Sequence, residues 1–313
     1  MFQFYRDKRY SEALGVAVEA AEKFPEYRAR TSFWVACLRS RTGNPDEALK
    51  GLREALQAGV WWAQDSFRDS DLDPVRTRPE FTSILEQNQH LMQSAAKTAE
   101  HELLVEKPAA TGKSPVLVVL HQRYGERPDV TAFNWMSALS RGIALAVPWS
   151  SQVYAPDGRC WDNLEVAEKD AFWVYSKLRN DEEIDLGRVV LAGFSQGAAL
   201  AIYLTLKRSF PCRGFVAIAP SDWVVPESQR AVERDRPSPA FASFIRSSDP
   251  RGFRGRIIIG ENDPFLRKAE FLKDEMVRHG LDCNWTVERG MGHEYPKEFE
   301  SELGKALDFV LGG

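Results

Sequence analysis

Arg188-Val189-Val190-Leu191-Ala192-Gly193-Phe194-Ser195-Gln196-Gly197-Ala198-Ala199-Leu200-Ala201-Ile202 is the stretch that decides the reading of this chain. Arg188 to Ala192 is a short apolar run of the kind that forms a strand buried on both faces. Ala198 to Lys207 is Ala- and Leu-rich and reads as a helix. Between them Gly193-Phe194-Ser195-Gln196-Gly197 has the pattern Gly-x-Ser-x-Gly. The pentapeptide alone is a weak signal, expected by chance in about one chain of this length in ten at average glycine and serine usage. The strand before it and the helix after it supply the context that the pattern needs to present a nucleophile.

The chemistry accounts for the residue types. A serine on a sharp turn needs a strained backbone, and flanking glycines let strand and helix approach without Cβ clashes. The helix that follows points its first amides at charge developing on a substrate. Two other readings fit the pentapeptide alone: a plain βα turn that carries a serine, and a phosphate-binding loop.

Outward from this point, apolar runs recur between helical stretches: PVLVVL (115–120), GIALAV (142–147), GFVAIA (214–219), GRIIIG (255–260) and CNWTVE (283–288). Continuous apolar strands separated by helices predict a mostly parallel sheet covered on both faces, an α/β domain over 114–313. Residues 1–107 have a different rhythm. Helices are predicted over about Ser11–Phe24, Arg28–Arg41 and Pro45–Ala58, with Asn44-Pro45 as a helix start and Gln93–His101 continuing a later helix. Lys107-Pro108-Ala109-Ala110-Thr111-Gly112 reads as a linker over 108–113.

Glu12-Ala13-Leu14 returns 35 residues later as Glu47-Ala48-Leu49, close to the tetratricopeptide period. YSEALGVAVEAAEKFP (10–25) and NPDEALKGLREALQAG (44–59) resemble the second helix of such repeats, and SDLDPVRTRPEFTSIL (70–85) resembles their closing segment. Residues 1–90 thus resemble a small tetratricopeptide-like domain. Two roles follow from it: a surface for a protein partner or dimer contact, or a helical cap that only packs. Too few repeats are present for a long groove.

Composition narrows the function classes. The 313 residues carry 41 basic and 45 acidic side chains, and neither half is basic: 16 against 17 through Lys113, 25 against 28 beyond it. Nucleic acid is therefore a poor partner. No apolar stretch reaches the roughly 18 residues that span a bilayer, and the polar start MFQFYRDKRY has no secretory apolar core. Cys37, Cys160, Cys212 and Cys283 are far apart with no CxxC pair, which predicts reduced thiols and neither disulfide nor zinc site. The expectation is a soluble, cytoplasmic protein.

A serine hydroxyl needs a base, and the base needs a third group to orient it. In sites of this kind the chain order is serine, acid, histidine. Only His279 and His293 follow Ser195. His279 sits in the amphipathic FLKDEMVRHG, whereas His293 lies in the Gly-rich loop Arg289–Pro296 after the last strand, where an α/β site gathers. For the acid, Asp263 in Gly260-Glu261-Asn262-Asp263-Pro264 follows a strand directly and is preferred over Asp222; Glu261 is its neighbour. Leu120-His121-Gln122-Arg123-Tyr124-Gly125 ends the first predicted strand, and a loop there supplies the second oxyanion amide, the first belonging to Gln196. The Arg123 N–H is the favoured donor and Gln122 the second choice, with His121 a structural brace. Tyr154 and Trp161, after the second predicted strand, are candidate walls of a substrate pocket.

Together LHQRYG, GFSQGAALA, GENDP and GMGHEYP resemble the phospholipase/carboxylesterase branch of the α/β-hydrolase family, small serine esterases and acyl-protein thioesterases. The resemblance spans residues 114–313. It implies Ser195 as nucleophile, Asp263 as acid, His293 as base, and the amides of Gln196 and Arg123 as the oxyanion hole, with no metal or organic cofactor. Two departures stand out. Gln122 replaces the glycine usual after the loop histidine, which restricts the backbone where an amide must aim. Ser221–Arg254 is a longer insertion, read as lid, pocket wall or exposed loop. The expected activity is hydrolysis of a small carboxylic ester or thioester through an acyl-enzyme. The alternatives are a peptidase or dienelactone-type hydrolase, or a degenerate hydrolase scaffold that binds a partner through its helical repeats.

Overall fold

The computed structural model describes residues 1–109, 112–222 and 237–312. The chain divides into two compact units. One holds Met1–Ala99 with Val153–Gly158; the other holds Glu100–Gln152 with Arg159–Gly313.

The helical unit contains α1 (Phe2–Arg6), α2 (Tyr10–Lys23), α3 (Arg28–Arg41), α4 (Pro45–Gln57), α5 (Asp73–Arg76) and α6 (Pro79–Thr98). Helix α4 buries Ala48, Leu49, Leu52, Ala55 and Leu56, the three-and-four spacing that puts one face into a core. Asn44 and Pro45 occupy the N-cap and first helical positions, but the Asn44 side chain turns back to Thr42 instead of capping. Asn88 of α6 is fully buried, so both ends of its amide need partners. It accepts the Trp62 N–H and donates to the Trp62 carbonyl, each at 2.8 Å.

In the second unit seven strands form one sheet in the order β1-β3-β2-β6-β7-β8-β9: β1 (Glu102–Glu106), β2 (Ser114–Leu120), β3 (Ala144–Trp149), β6 (Ile184–Phe194), β7 (Gly214–Ile218), β8 (Arg254–Gly260) and β9 (Asp282–Glu288). Two short strands, β4 (Val153–Ala155) and β5 (Gly158–Arg159), make a separate hairpin. All six apolar runs named above are strands. They pair in parallel, and at the edge of the seven-stranded sheet β1 pairs antiparallel with β3.

Alternation along the strands builds two cores. Val116, Val118, Leu191, Phe215 and Ile257 point to one face, in the cluster shared with α9 (Leu164–Arg179), α10 (Gln196–Lys207), α11 (Pro239–Ser247) and α12 (Leu266–Arg278). Leu117, Val119, Val190, Val216 and Ile258 point to the other, with α7 (Pro128–Phe133), α8 (Ser137–Ser140) and α13 (Phe299–Leu311). The strand centres are therefore dry on both sides, as continuous apolar runs require. Among the described residues no helix is long and apolar enough to cross a membrane.

The domain limits need correction. The helical region was expected to reach residue 107, with a helix through His101. Helix α6 ends at Thr98, and Glu102–Glu106 instead forms the edge strand β1. Its five residues are all half-buried, and the first and last are glutamates, so no apolar run announces it. Ala110 and Thr111 of the expected linker lie outside the described residues.

Candidate active site

Strand β6 runs to Phe194, and α10 starts at Gln196, so Ser195 alone makes the junction. Its φ of 54° and ψ of −115° put a β-carbon-bearing residue where such residues are strained. The strain is held by neighbours: the Ser195 N–H donates to the Ile218 carbonyl at 3.0 Å, and the Ser195 carbonyl accepts from Ala199 and Ser221. Both glycines of the motif are explained by crowding. A β-carbon on Gly197 would lie 2.0 Å from the Leu120 carbonyl oxygen, and one on Gly193 would lie 2.4 Å from the Gly197 carbonyl carbon. The first turn of α10 therefore rests directly on the end of β2, and the loop after β2 is drawn to the serine.

The other two predicted side chains arrive on the loops after β8 and β9. Asp263 follows β8 and is 5% exposed. Its Oδ1 accepts the Phe265 N–H at 2.8 Å, and its Oδ2 lies 2.8 Å from His293 Nδ1. A carboxylate only accepts, so Nδ1 carries the proton and Nε2 is left with a lone pair. That Nε2 lies 2.9 Å from Ser195 Oγ and accepts its hydroxyl proton. Ser195 and His293 remain partly exposed, whereas Asp263 does not. Phe194 and Phe265 flank the imidazole, ring centroids 4.9 and 5.2 Å away.

The alternatives are engaged elsewhere. Asp222 is buried, accepts the Ser238 N–H at 2.8 Å and pairs with Lys268 Nζ at 3.3 Å. Glu261 accepts the Gly290 N–H, and His279 caps the C-terminus of α12.

His121, after β2, is a brace. Its Nδ1–H donates to the Gln122 carbonyl at 2.8 Å, and its Nε2 accepts the Ser150 N–H at 3.2 Å. Burial pushes its pKa down to about 4, against the partial lift from the Gln122 carbonyl, so the ring is neutral.

Trp161 stacks on this imidazole at 4.5 Å and donates its indole N–H to the His121 carbonyl at 2.9 Å. It is 1% exposed. The pocket-wall expectation for Trp161 is therefore corrected: a side chain with its N–H spent and its rings enclosed supports the loop from beneath. Tyr154 is half-buried. It groups with the helical unit, where its carbonyl accepts the Ala63 N–H at 2.7 Å and its hydroxyl meets Ser66 Oγ at 3.2 Å.

Residues that the sequence reading passed over are Asp162, Phe194 and Phe265. Asp162 accepts from both the Arg123 guanidinium and the Gln196 amide. A Trp-Asp dipeptide in a loop carries no signal until the loops are placed in space.

Residues 173–235 match the family model described as phospholipase/carboxylesterase, around the serine elbow and its strand. Residues 1–96 match the model of an A/B hydrolase-like N-terminal domain. With the mostly parallel sheet and the strand-serine-helix junction, these matches decide the matter. The chain has the α/β-hydrolase fold.

Solved structures agree on the fold. An uncharacterized protein from Bacillus cereus ATCC 10987 is similar over 99% of this chain and 96% of its own, at 22% identity and a TM-score of 0.53. Esterase PE8 is similar over 68% of this chain and 100% of its own, at 15% identity and a TM-score of 0.51. An S-formylglutathione hydrolase from Agrobacterium tumefaciens covers 68% of this chain and 91% of its own, at 17% identity and a TM-score of 0.52. No curated protein matches the sequence. In the insertion Ser221–Arg254, residues 223–236 lie outside the described residues, and the lid reading with them. The described remainder holds α11, capped by the Ser238 hydroxyl on the Phe241 N–H.

Proposed function

We propose that this chain is a serine esterase that cleaves small carboxylic esters or thioesters through an acyl-enzyme. One observation carries the reading: an unbroken hydrogen-bond chain from a buried carboxylate, Asp263, through His293 to a strained and accessible Ser195. The match of residues 173–235 and the esterases among structures of this fold support the substrate class.

The chemistry follows from the atoms. Ser195 Oγ attacks the substrate carbonyl as its proton passes to His293 Nε2. The imidazolium so formed is held by Asp263 Oδ2, which needs no proton itself. The carbonyl oxygen becomes an oxyanion and is met by the backbone N–H groups of Gln196, at the first turn of α10, and Arg123, on the loop after β2. His293 then hands its proton to the leaving alcohol or thiol. Water, deprotonated by the same nitrogen, attacks the acyl carbon and frees Ser195.

The test is hydrolysis of p-nitrophenyl esters from acetate to decanoate by wild type and Ser195→Ala. Turnover that disappears in Ser195→Ala is the expected result, and the chain-length optimum then sizes the acyl site. Folded wild type that turns over no ester, and whose Ser195 resists a fluorophosphonate, would overturn the reading in favour of a catalytically silent scaffold.

A further inference from the structure

The two amides that the proposed mechanism aims at one oxygen come from different elements. Gln196 opens α10, and Arg123 lies on the loop after β2. Nothing in the backbone ladder of the sheet joins these two positions, yet an oxyanion hole works only if both N–H groups converge to within a few tenths of an ångström. Their side chains do meet, on a third residue.

Asp162 lies between the hairpin β4–β5 and α9. Its Oδ1 accepts the Gln196 Nε2–H at 2.7 Å and the Arg123 Nε–H at 3.0 Å. Its Oδ2 accepts the Arg123 Nη2–H at 2.7 Å. The guanidinium therefore grips the carboxylate through two nitrogens, the geometry with the most directional control. Gln196 is fully buried, and its other amide end is fixed as well, because Oε1 accepts the Trp161 N–H at 2.9 Å. That pattern admits one orientation of the amide: nitrogen to the carboxylate, oxygen to the backbone N–H. The Trp161 indole is bonded in turn to the His121 carbonyl, two residues before Arg123. The dipeptide Trp161-Asp162 thus touches the loop on both sides of Gln122, and touches the first residue of α10.

We propose that Asp162 is a positioning residue of the oxyanion hole, tying Gln196 and Arg123 together so that their backbone N–H groups aim at one point. The proposal rests on the serine-esterase reading above. In this role the charge of Asp162 acts through the two side chains that it holds. A purely architectural link would stabilise the fold without favouring the transition state over the bound ester. A positioning role affects the tetrahedral state alone, because only there does the oxygen carry full charge.

The experiment separates these. Asp162→Asn and Asp162→Ala are compared with wild type for kcat and KM on p-nitrophenyl butyrate, for inhibition by an aryl trifluoromethyl ketone that adds to the serine as a tetrahedral oxyanion, and for urea midpoint. Loss or misaim of one oxyanion donor costs about a hundredfold or more in kcat, so partial misaim through a lost tether should cost roughly ten- to a hundredfold. The expected result is that kcat falls and the ketone inhibition constant rises by the same factor, while KM stays within about twofold. Arg123→Met, which cuts the same tether from its other end, should show the same parallel even if an Asp162 variant fails to fold. Unchanged kcat in folded variants overturns the proposal. So does a fall in kcat with ketone affinity unmoved, or one that only tracks lost stability. A wild type inert to ester, ketone and fluorophosphonate overturns the esterase reading, and this inference falls with it.

Discussion

At the scale of single residues, Ser195 and His121 show two opposite uses of a constrained side chain. Ser195 sits at a positive φ that costs on the order of 1–3 kcal/mol, and the crowding at Gly193 and Gly197 keeps it there. Gly197→Ala would force the first turn of α10 away from the Leu120 carbonyl; it should cut ester turnover by an order of magnitude or more, read against an unchanged far-ultraviolet spectrum. Asp263→Asn leaves the shape of the site intact but replaces an acceptor-only group with one that also donates. By analogy with other triads kcat should fall roughly a thousandfold or more while KM holds, which steady-state kinetics would check. His121 is neutral because it is buried, and this sets a pH dependence of stability. Its pKa lies near 4 when folded and about 6.5 when unfolded. The unfolded chain therefore takes up the proton first as pH falls. The stability due to the neutral ring is complete above about pH 6.5 and is lost as pH drops toward 4, by roughly 3 kcal/mol in all. Urea midpoints between pH 7.5 and 4.5 should drop more steeply for wild type than for His121→Asn, which has no proton to gain. The grouping of Ser195, Asp263 and His293 was legible in the sequence because each follows a recognisable strand, on the side where the loops gather. Trp161 was misread because an aromatic in a loop looks the same on paper whether it lines a pocket or fills the space beneath a loop.

At the scale of elements, legibility followed burial. β2, β3, β7, β8 and the Val189–Gly193 half of β6 are buried almost throughout, and their runs of valine, isoleucine, leucine and alanine stand out in the sequence. β9 is a half-buried edge, yet the apolar and β-branched residues of CNWTVE were enough. β1 has neither feature: five half-buried residues, two of them glutamates. It exists because β3 offers it a ladder from Glu102 opposite Trp149 to Glu106 opposite Leu145, a long-range fact that no window of sequence contains. The energetics should divide the same way. Ile258→Ala, in the centre of β8 and wholly buried, should cost about 2–5 kcal/mol through lost transfer energy and the cavity left behind. Leu104→Ala, half-buried on β1, should cost about half of that or less, since part of its surface already meets water. Urea titrations followed by tryptophan fluorescence would rank the two, and equal losses would contradict this account of the edge.

At the scale of the whole molecule, the chain does not divide where its composition changes. The proline- and alanine-containing stretch at 108–113 looks like a linker, but the helical unit ends at Ala99, close to the end of the 1–96 family match, and it also claims Val153–Gly158 from the middle of the second unit. The break falls before β1 because backbone pairing outweighs local composition: cutting at 113 would remove β1 and leave the edge of β3 that faces it unpaired along Leu145–Trp149, with β3 still paired to β2 on its other side. An exposed apolar edge of that kind recruits other chains. Two fragments therefore make a direct test. Residues 100–313 keep all seven strands and should be soluble, monodisperse and cooperative in thermal unfolding. Residues 114–313 begin at β2, expose the β3 edge and should aggregate. Equal behaviour of the two would mean that β1 contributes nothing to the sheet, and that the composition break, not the pairing, marks where the hydrolase unit begins.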